Sequence, residues 1–238
     1  SCDTMRRLFD NWQYTGQDYE GIVPSLVHYY DVPYKTLPHC IDWCVEEIRK
    51  VMRALETHFN VEITEEKLNN AIEVYNQGRD LLFELEQLRK GENVFISGSD
   101  AYAIVVAGTV MPRDEFNQKL QEVVKGLKRK KKSILNGGKR IMVSGSICDD
   151  RDLIDLVEQT GSIVVAENLC FGIRGAADRV SLDGDPVRAL AEKYINNSVC
   201  PRFLMNYKER SVHILDKAKQ AKVDGVILEN IRFCDLHG

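Results

Sequence analysis

The amino-acid sequence predicts an α/β fold with a parallel sheet and a long helical region in front of it. Two observations support this prediction: apolar runs of strand length alternate with helical stretches after Gly137, and most residues before Gly137 show helical spacing. Strands that alternate with helices form parallel sheets, because each crossover helix returns the chain to the same edge. We therefore divide the chain into residues 1–38, a helical linker or insert over 39–136, and an α/β layer over 137–238.

Helical periodicity defines the elements of the first half. Apolar residues three and four positions apart predict a helix from about Cys40 to Phe59. Thr64 is a candidate N-cap of a second, long helix that stops at Gly91. Two more helices are predicted over about 100–110 and from 112 into the basic run at 128–132, which is typical of a solvated helix end.

The second half alternates between strand and helix patterns. Strands are predicted over 140–144, 163–166 and 223–228. The helices between them are predicted to begin after Asp149 or Asp150, at Asp185-Pro186 and near Lys208. This order predicts an open layer of the Rossmann-like type, which the helical region joins to a strand that ends near Cys2.

Composition and charge argue against two classes of partner. Hydrophobic residues make up 44% and charged residues 29% of the chain, as in ordinary globular proteins, and the net charge of −4 offers no field that attracts nucleic acid or an anionic membrane. No apolar run approaches the roughly 20 residues that cross a bilayer, and no signal-peptide pattern is present. We expect a cytoplasmic protein with no nucleic-acid or membrane partner.

The seven cysteines are expected to be reduced thiols or metal ligands, because a chain of this size does not need a disulfide scaffold. Cys40 and Cys44 share a helix face, but Cys44 falls in the apolar stripe, which favours a core position. Cys2 and Cys234 each stand where a strand gives way to a loop. Because parallel strands end at one edge of the sheet, where α/β proteins place their ligands, these two are candidate cluster ligands. The roles of the other five stay open: Cys40, Cys44, Cys148, Cys170 and Cys200.

The turn after the first predicted strand is the other candidate from pattern alone. Ser144-Gly145-Ser146 lies between a strand and a helix, so it is either a plain tight turn or a ligand-facing loop. No P-loop, HExxH, GxSxG or CxxC motif is present. The sequence has no initiator Met and stops directly after a strand-like run, so we expect a fragment of a longer subunit.

Six segments carry a resemblance to a known family. They are SCDTMRRLFD at 1–10, AIEVYNQGR at 71–79, LCFGIR at 169–174, VCPR at 199–202, and DGVI at 224–227 with FCDLHG at 233–238. In this order they resemble the 2-hydroxyacyl-CoA dehydratase subunits, a family that includes benzoyl-CoA reductase subunits. The resemblance implies a subunit of two Rossmann-like domains with a [4Fe-4S] cluster held by three cysteines in the cleft between them.

The resemblance also implies ligands and partners. Cys2 of the SCD motif and Cys234 of the FCD motif match two of the cluster cysteines, and the third is expected upstream of this sequence. The implied partners are a homologous second subunit, an ATP-hydrolysing iron–sulfur activator and an acyl-CoA substrate. The catalytic residues are unknown; Ser146, Cys170 and Arg174 are expected on loops that face the cleft. There Arg174 either contacts a CoA phosphate or the developing oxyanion, or forms a structural ion pair.

The implied reaction is the anaerobic elimination of water from a 2-hydroxyacyl-CoA in amino-acid fermentation. One electron from the activator generates a ketyl radical anion at the thioester carbonyl, the 2-hydroxyl and the 3-proton leave, and the electron is returned. Three-cysteine ligation suits this chemistry because it leaves one iron open. Two alternatives stay open: an aromatic acyl-CoA reductase subunit that consumes electrons, and a noncatalytic partner that relays electrons or supports the complex.

Overall fold

The structure is a computed structural model that describes residues 3–19, 21–135, 137–148, 150–176, 178–197 and 199–232. In chain order its elements are α1 (Asp3–Asp18), α2 (Pro38–Phe59), α3 (Glu65–Lys90), α4 (Gly98–Ala107), α5 (Arg113–Arg129), β1 (Arg140–Gly145), α6 (Asp152–Gln159), β2 (Ile163–Asn168), α7 (Pro186–Ile195), α8 (Tyr207–Gln220) and β3 (Gly225–Glu229). Short 3₁₀ turns lie at Ile173–Ala176 and Leu204–Asn206. The α/β fold class is confirmed. Within the described ranges, no helix is long and apolar enough to cross a membrane.

The chain forms two compact units. The first contains residues 1–71 and 180–197, and the second contains residues 72–179 and 198–238. The division into 1–38, 39–136 and 137–238 stays a prediction.

The first unit is helical. In it α2 and α7 lie in contact, joined by an ion pair of 2.6 Å between Arg188 and Asp42 and one of 3.3 Å between Arg49 and Asp185. Asp185 also caps α7 by accepting from the backbone N–H of Val187, as its position before Pro186 predicts. We did not predict α1, although Met5, Leu8, Phe9 and Trp12 lie at helical spacing; most of its described side chains are exposed.

The helical layer of the second unit consists of α4, α5 and the part of α3 that follows residue 71. Thr64 caps α3 by accepting from the N–H of Lys67 at 3.2 Å, and Ser97 caps α4 by accepting from the N–H of Asp100 at 3.0 Å. The predicted ends of α3, α4 and α5 agree with the structure to within about three residues. Their apolar faces share one core, formed by Leu82, Leu85, Ile96, Ala101, Val105, Phe116, Leu120, Val124, Leu127 and Ile173.

A parallel sheet of three strands in the order β2-β1-β3 forms the rest of the second unit. Because β1 is central, the chain crosses from β1 to β2 through α6 and then passes back to the opposite edge through α8. One face of the sheet, with Val143 and Val164, lies against Tyr102 and Ile154; the other, with Met142 and Val165, is covered by α8 side chains. Both faces of β1 and β2 are therefore covered, as expected for parallel strands, whereas Val226 and Leu228 of the edge strand β3 are exposed.

Buried Arg89 joins the helical layer to this sheet. Its side chain, 3% exposed, donates from a terminal guanidinium nitrogen to the carbonyl oxygen of Val164 at 2.7 Å. Burial lowers the pKa of Arg89, while the charges of Glu167, Glu86 and Glu158 act in the opposite direction. These three carboxylates keep the buried guanidinium charge compensated.

Candidate functional site

The carboxyl edge of the sheet brings three strand ends together. β1 ends at Gly145, β2 ends at Asn168 and β3 ends at Glu229, all at the same edge because the strands are parallel. In open α/β sheets, ligands bind at this edge beside the strand from which the chain continues first toward one side of the sheet and later toward the other. That point lies here beside β1, so the segments after the three strands form the candidate site.

Arg174 ties two of these strand ends together. Its guanidinium donates to the carbonyl oxygen of Gly145 at 2.7 Å, to the side-chain oxygen of Asn168 at 3.1 Å and to the carbonyl oxygen of Asn168. A fourth contact, 3.6 Å long, joins it to the sulfur of Cys170. Four of the five guanidinium N–H groups are thereby used, and the side chain is 6% exposed. The oxygen acceptors belong to backbone carbonyl and side-chain amide groups and are uncharged.

Glu167 organises the turn that carries Arg174. Its carboxylate, 2% exposed, accepts from the backbone N–H of Ile173 at 2.7 Å and from that of Leu169 at 3.2 Å. A Cβ at Gly172 would overlap the same carboxylate, so a larger residue here would force the Glu167 side chain to move. The Leu-Cys-Phe-Gly-Ile-Arg segment is thus folded around a buried glutamate at the end of β2.

Ser146 connects all three strand ends through its backbone. Its N–H donates to a carboxylate oxygen of Glu229 at 2.8 Å, and its carbonyl oxygen accepts from the N–H of Cys170 at 3.0 Å. The residue is 2% exposed. The structure therefore brings Ser146, Cys170 and Arg174 together at the carboxyl edge, while their roles toward a substrate stay predictions.

The predicted cluster ligands, Cys2 and Cys234, lie outside the described residues. The described thiols are Cys40, Cys44, Cys148, Cys170 and Cys200, and none of them forms a disulfide. Cys44 is fully buried, and its sulfur lies 3.1 Å from the hydroxyl of Tyr30. Among the described residues, no three or more His, Cys, Asp or Glu side chains group to hold a metal ion. These residues alone therefore do not fit a cluster.

A cavity of about 550 Å³ in the second unit is the other candidate feature. α3 and α8 line it together with the turn that carries Arg174. Within it the Lys217 ammonium lies 2.7 Å from one Glu86 oxygen, and that of Lys90 lies 3.5 Å from the other. Burial by itself raises the pKa of Glu86, but the charges of Lys217 and Lys90 outweigh it and hold the pKa below its usual 4.5. Glu86 is therefore ionised and doubly paired.

His213 faces the same charges. Burial lowers the pKa of His213 below its usual 6.5, and Lys217 lowers it further, against the opposing charge of Glu86. The imidazole is consequently neutral at neutral pH.

Several of these residues carried only weak signals in the sequence. Glu167 and Asn168 directly follow the apolar run that predicted a strand over 163–166. Two polar residues at the carboxyl end of a buried strand were the signal that could have marked them as site residues. For Glu86 and Lys217 no signal existed, since a charge at helical spacing is more often on a solvated face.

Comparison with known protein families gives a match over the whole sequence. The family model described as "2-hydroxyglutaryl-CoA dehydratase, D-component" matches residues 1–238. This match confirms the resemblance that the motifs indicate.

Individual relatives agree with the family match. The chain is 26% identical over 239 residues to a benzoyl-CoA reductase subunit of Thauera aromatica, an alignment that covers 98% of the chain and 60% of that protein. It is 23% identical over 235 residues to the (R)-phenyllactyl-CoA dehydratase beta subunit of Clostridium sporogenes, an alignment that covers 98% of the chain and 61% of that protein. The beta subunit of (R)-2-hydroxyglutaryl-CoA dehydratase from Acidaminococcus fermentans is 25% identical over 240 residues, and this alignment covers 98% of the chain and 62% of that protein.

The chain thus spans about 60% of the length of these curated relatives. Because the family model nevertheless matches every residue from 1 to 238, and the parallel sheet has the predicted strand order along the chain, the family assignment does not depend on one motif. The chain belongs to the 2-hydroxyglutaryl-CoA dehydratase D-component family.

Proposed function

We propose that this chain is part of a subunit of a 2-hydroxyacyl-CoA dehydratase, which eliminates water from a 2-hydroxyacyl-CoA to give an enoyl-CoA. The observation that carries the proposal is the family match over residues 1–238, together with relatives that are dehydratase beta subunits. One electron enters the thioester carbonyl to form a ketyl radical anion, the 2-hydroxyl and the 3-proton leave as water, and the electron is returned. The reaction therefore has no net redox change.

A [4Fe-4S] cluster is the proposed cofactor, with Cys2 and Cys234 as two ligands and a third cysteine outside this sequence. When bound, the cluster would supply a one-electron carrier whose potential depends on burial and on hydrogen bonds to its sulfurs. Support comes from chain position: β3 ends at Glu229, five residues before Cys234, at the edge organised by Arg174.

Iron and sulfide analysis with EPR on the anaerobically purified full-length protein tests the ligands. About four irons per subunit are expected for this cluster type, with loss in Cys2→Ala and in Cys234→Ala. Cys200→Ala is the matched control and should retain the iron. Full iron in both ligand variants, or iron loss only in the control, would refute the assignment.

Ser146 and Arg174 are the proposed site residues nearest to the substrate. Arg174 has one guanidinium N–H beyond the four contacts at the strand ends, which leaves a donor for a CoA phosphate or a developing oxyanion. Arg174→Lys should raise the KM or lower the kcat about 10-fold or more, since lysine lacks the planar fork. Unchanged kinetics in a folded variant would exclude this role.

The proposed partners are a homologous second subunit and an ATP-hydrolysing iron–sulfur activator. Enoyl-CoA formation should need the second subunit, catalytic amounts of activator with ATP, and a trace of reductant that is not consumed in proportion to product. Product formed at full rate without ATP would contradict this part of the proposal.

A second candidate reaction is the reduction of an aromatic acyl-CoA, favoured by the similarity to the benzoyl-CoA reductase subunit of Thauera aromatica. The same assay separates the two, because a reductase consumes reductant in proportion to product and a dehydratase does not. If the assembled complex retains its activity, whether dehydration or reduction, when Ser146 and Arg174 are replaced, a noncatalytic role as an electron relay or supporting partner is favoured for this subunit.

A further inference from the structure

A concentration of positive charge lies where α5 ends. Residues 125–132 contain six lysine or arginine side chains and no acid, and this basic segment includes the last turn of α5 and the residues directly after it. Since the whole chain has a net charge of −4, the residues outside the basic segment carry a net charge of −10. The positive charge is therefore gathered in one short stretch of an otherwise acidic chain.

The helix end explains only part of this charge. Cations in the last turn of a helix interact favourably with its dipole, and Lys128 and Arg129 occupy that turn. Lys130 is the C-cap and has an extended backbone, so Lys131 and Lys132 lie beyond the helix. Because the effect of the dipole falls off within the last turn, it does not account for these two lysines.

Carboxylates compensate little of the charge of the basic segment. The ammonium of Lys128 pairs with Glu84 at 2.6 Å, whereas that of Lys130 donates to the carbonyl oxygen of Phe95 at 3.1 Å, which supplies no negative charge. Within the part of the chain that the structure describes, no carboxylate pairs with the other four cations, which are all exposed: Lys125, Arg129, Lys131 and Lys132. Five positive charges of the segment are therefore uncompensated.

Hydrogen bonds fix the backbone that carries these charges. The hydroxyl of Ser133 accepts from the N–H of Val94 at 3.0 Å and donates to the carbonyl oxygen of Val94 at 3.2 Å. The N–H of Ile134 donates to the same carbonyl oxygen at 2.7 Å. Val94 is fully buried, so the end of the basic segment is held against the core. Cations that are already held in place lose less conformational entropy on binding than those of a loose tail.

The basic segment lies toward the edge of the sheet opposite the candidate site. Val94, to which the segment is tied, packs in one core cluster with Ile163 and Ala221. Ile163 begins β2 and Ala221 precedes β3, so these residues mark the amino edge of the sheet. A partner bound to the basic segment would therefore leave the carboxyl edge open.

The surroundings of the segment indicate which kind of polyanion fits it. Like charges held together repel each other, and a ligand with several negative groups would relieve this repulsion. Charges act over about 8–10 Å at physiological salt, so a compact acidic patch can contact the segment alone. A long nucleic acid or an anionic membrane would also meet the net charge of −10 on the rest of the chain. The segment has no aromatic side chain on which bases could stack.

We propose that residues 125–132 form a docking surface for a protein partner that presents a compact cluster of aspartate or glutamate side chains. Lys131 and Lys132, which lie beyond the helix, supply charges that the partner contacts together with Arg129. Complementary charges of this kind speed association and make it depend on salt. The surface goes beyond the proposed reaction, because it depends on charges away from the carboxyl edge.

Fluorescence anisotropy of the full-length protein with a labelled oligoglutamate tests the proposal, with a probe of about ten residues that spans roughly 30 Å when extended. The probe should bind at about 20 mM salt and at least about 10-fold more weakly at about 300 mM salt. In the double variant Lys131→Gln and Lys132→Gln, the affinity at low salt should fall at least about 10-fold. No binding at low salt up to about 100 μM protein, or the parent's affinity in the double variant, would overturn the proposal.

The double variant Lys119→Gln and Lys208→Gln is the matched control. Both lysines are exposed, so the same amount of charge is removed from other parts of the second unit. Lys119 lies about 15 Å along α5 from the end of that helix, and Lys208 is in the first turn of α8. The affinity for oligoglutamate should change by less than about 2-fold. An equal loss in both double variants would show attraction by net charge alone and would overturn the proposal.

An oligouridylate with the same number of negative charges distinguishes a protein partner from a nucleic acid. It should bind more weakly than oligoglutamate, because its bases find no aromatic side chain in the segment. Equal or tighter binding of the oligouridylate would overturn the proposal in favour of a nucleic acid. Since binding is measured without acyl-CoA turnover, failure here leaves the proposed dehydratase function untouched, and failure of the dehydratase assay leaves this surface untouched.

Discussion

The guanidinium of Arg174 connects two strand ends through uncharged oxygens. The sequence left open whether this arginine contacts a substrate or forms a structural ion pair. Among the described residues no carboxylate pairs with it; its partners are Gly145, Asn168 and Cys170. A buried cation with neutral acceptors satisfies its hydrogen bonds but keeps its charge, so Arg174 is both a structural tie and a source of positive potential.

Replacement of Arg174 by lysine should destabilise the fold. A single ammonium cannot reach the Gly145 and Asn168 oxygens together, so we expect a loss of about 2–4 kcal/mol in the free energy of unfolding. Urea denaturation measures this loss. The control is Arg151→Lys immediately before α6, whose exposed pair with Asp155 should change stability by less than about 0.5 kcal/mol. Equal effects of the two changes would show that the hydrogen bonds of Arg174 to Gly145 and Asn168 do not contribute to the free energy of unfolding.

His213 should make stability depend on pH in a defined window. Its pKa in the folded state lies below 6.5, because burial and then Lys217, Arg174 and Lys90 oppose protonation more than Glu86 favours it. As the pH falls below 6.5, the unfolded state therefore binds a proton before the folded state does. The contribution of the neutral imidazole to the free energy of unfolding is full above pH 6.5 and decreases as the pH falls toward the pKa of the folded state.

His213→Gln removes this titration. Unfolding free energies of the parent and the variant are compared in urea at about pH 7.5 and about pH 5. The parent should lose more stability than the variant between the two conditions. An equal loss in both proteins would mean that protonation of His213 is not coupled to folding.

At the scale of elements, the contact between β1 and β3 depends on a glycine. A Cβ at Gly145 would overlap the carbonyl oxygen of Glu229, a backbone atom of the neighbouring strand that cannot move without breaking the pairing. The same strand end receives the N–H of Ser146, so the two strands approach closely where the candidate site begins. Glycine is required at this place by close backbone approach rather than by a special backbone angle.

Gly145→Ala should cost at least about 2 kcal/mol of unfolding free energy, because β3 must shift to admit the methyl group. Gly126→Ala is the matched control: Gly126 is exposed on α5, nothing lies near its added Cβ, and alanine should stabilise the helix by up to about 1 kcal/mol. Thermal and urea unfolding compare the two. Destabilisation by both changes to the same degree would argue against the close strand contact.

At the scale of the whole molecule, protection against hydrogen exchange should be uneven. β1 is paired on both sides and covered on both faces, while α1 in the first unit has almost entirely exposed side chains. Amides of residues 140–145 should therefore exchange at least about 100-fold more slowly than those of residues 3–18. Exchange measured by mass spectrometry on peptides covering these segments checks this, and equal rates would contradict it.

Much of the fold followed from local pattern. The apolar stripe from Cys40 predicted α2, Thr64 and Gly91 marked the limits of α3, and the strand–helix alternation after Gly137 predicted a parallel sheet. We did not predict α1, although Met5, Leu8, Phe9 and Trp12 lie at helical spacing, because Cys2 was expected where a strand gives way to a loop. Of the candidate site, the sequence indicated Ser146, Cys170 and Arg174, which the structure brings together at one edge. Cys2 and Cys234 stay predictions.

By itself, the sequence determined the family, the fold class and the order of elements, because motifs and hydrophobic periodicity are properties of neighbouring residues. Only the tertiary structure decided which polar groups meet. Arg174 reaches Gly145, 29 residues away in the chain, and Lys217 reaches Glu86 in another helix. Whether a charge at helical spacing faces water or a buried partner depends on which element packs against that face, and no local pattern contains that information.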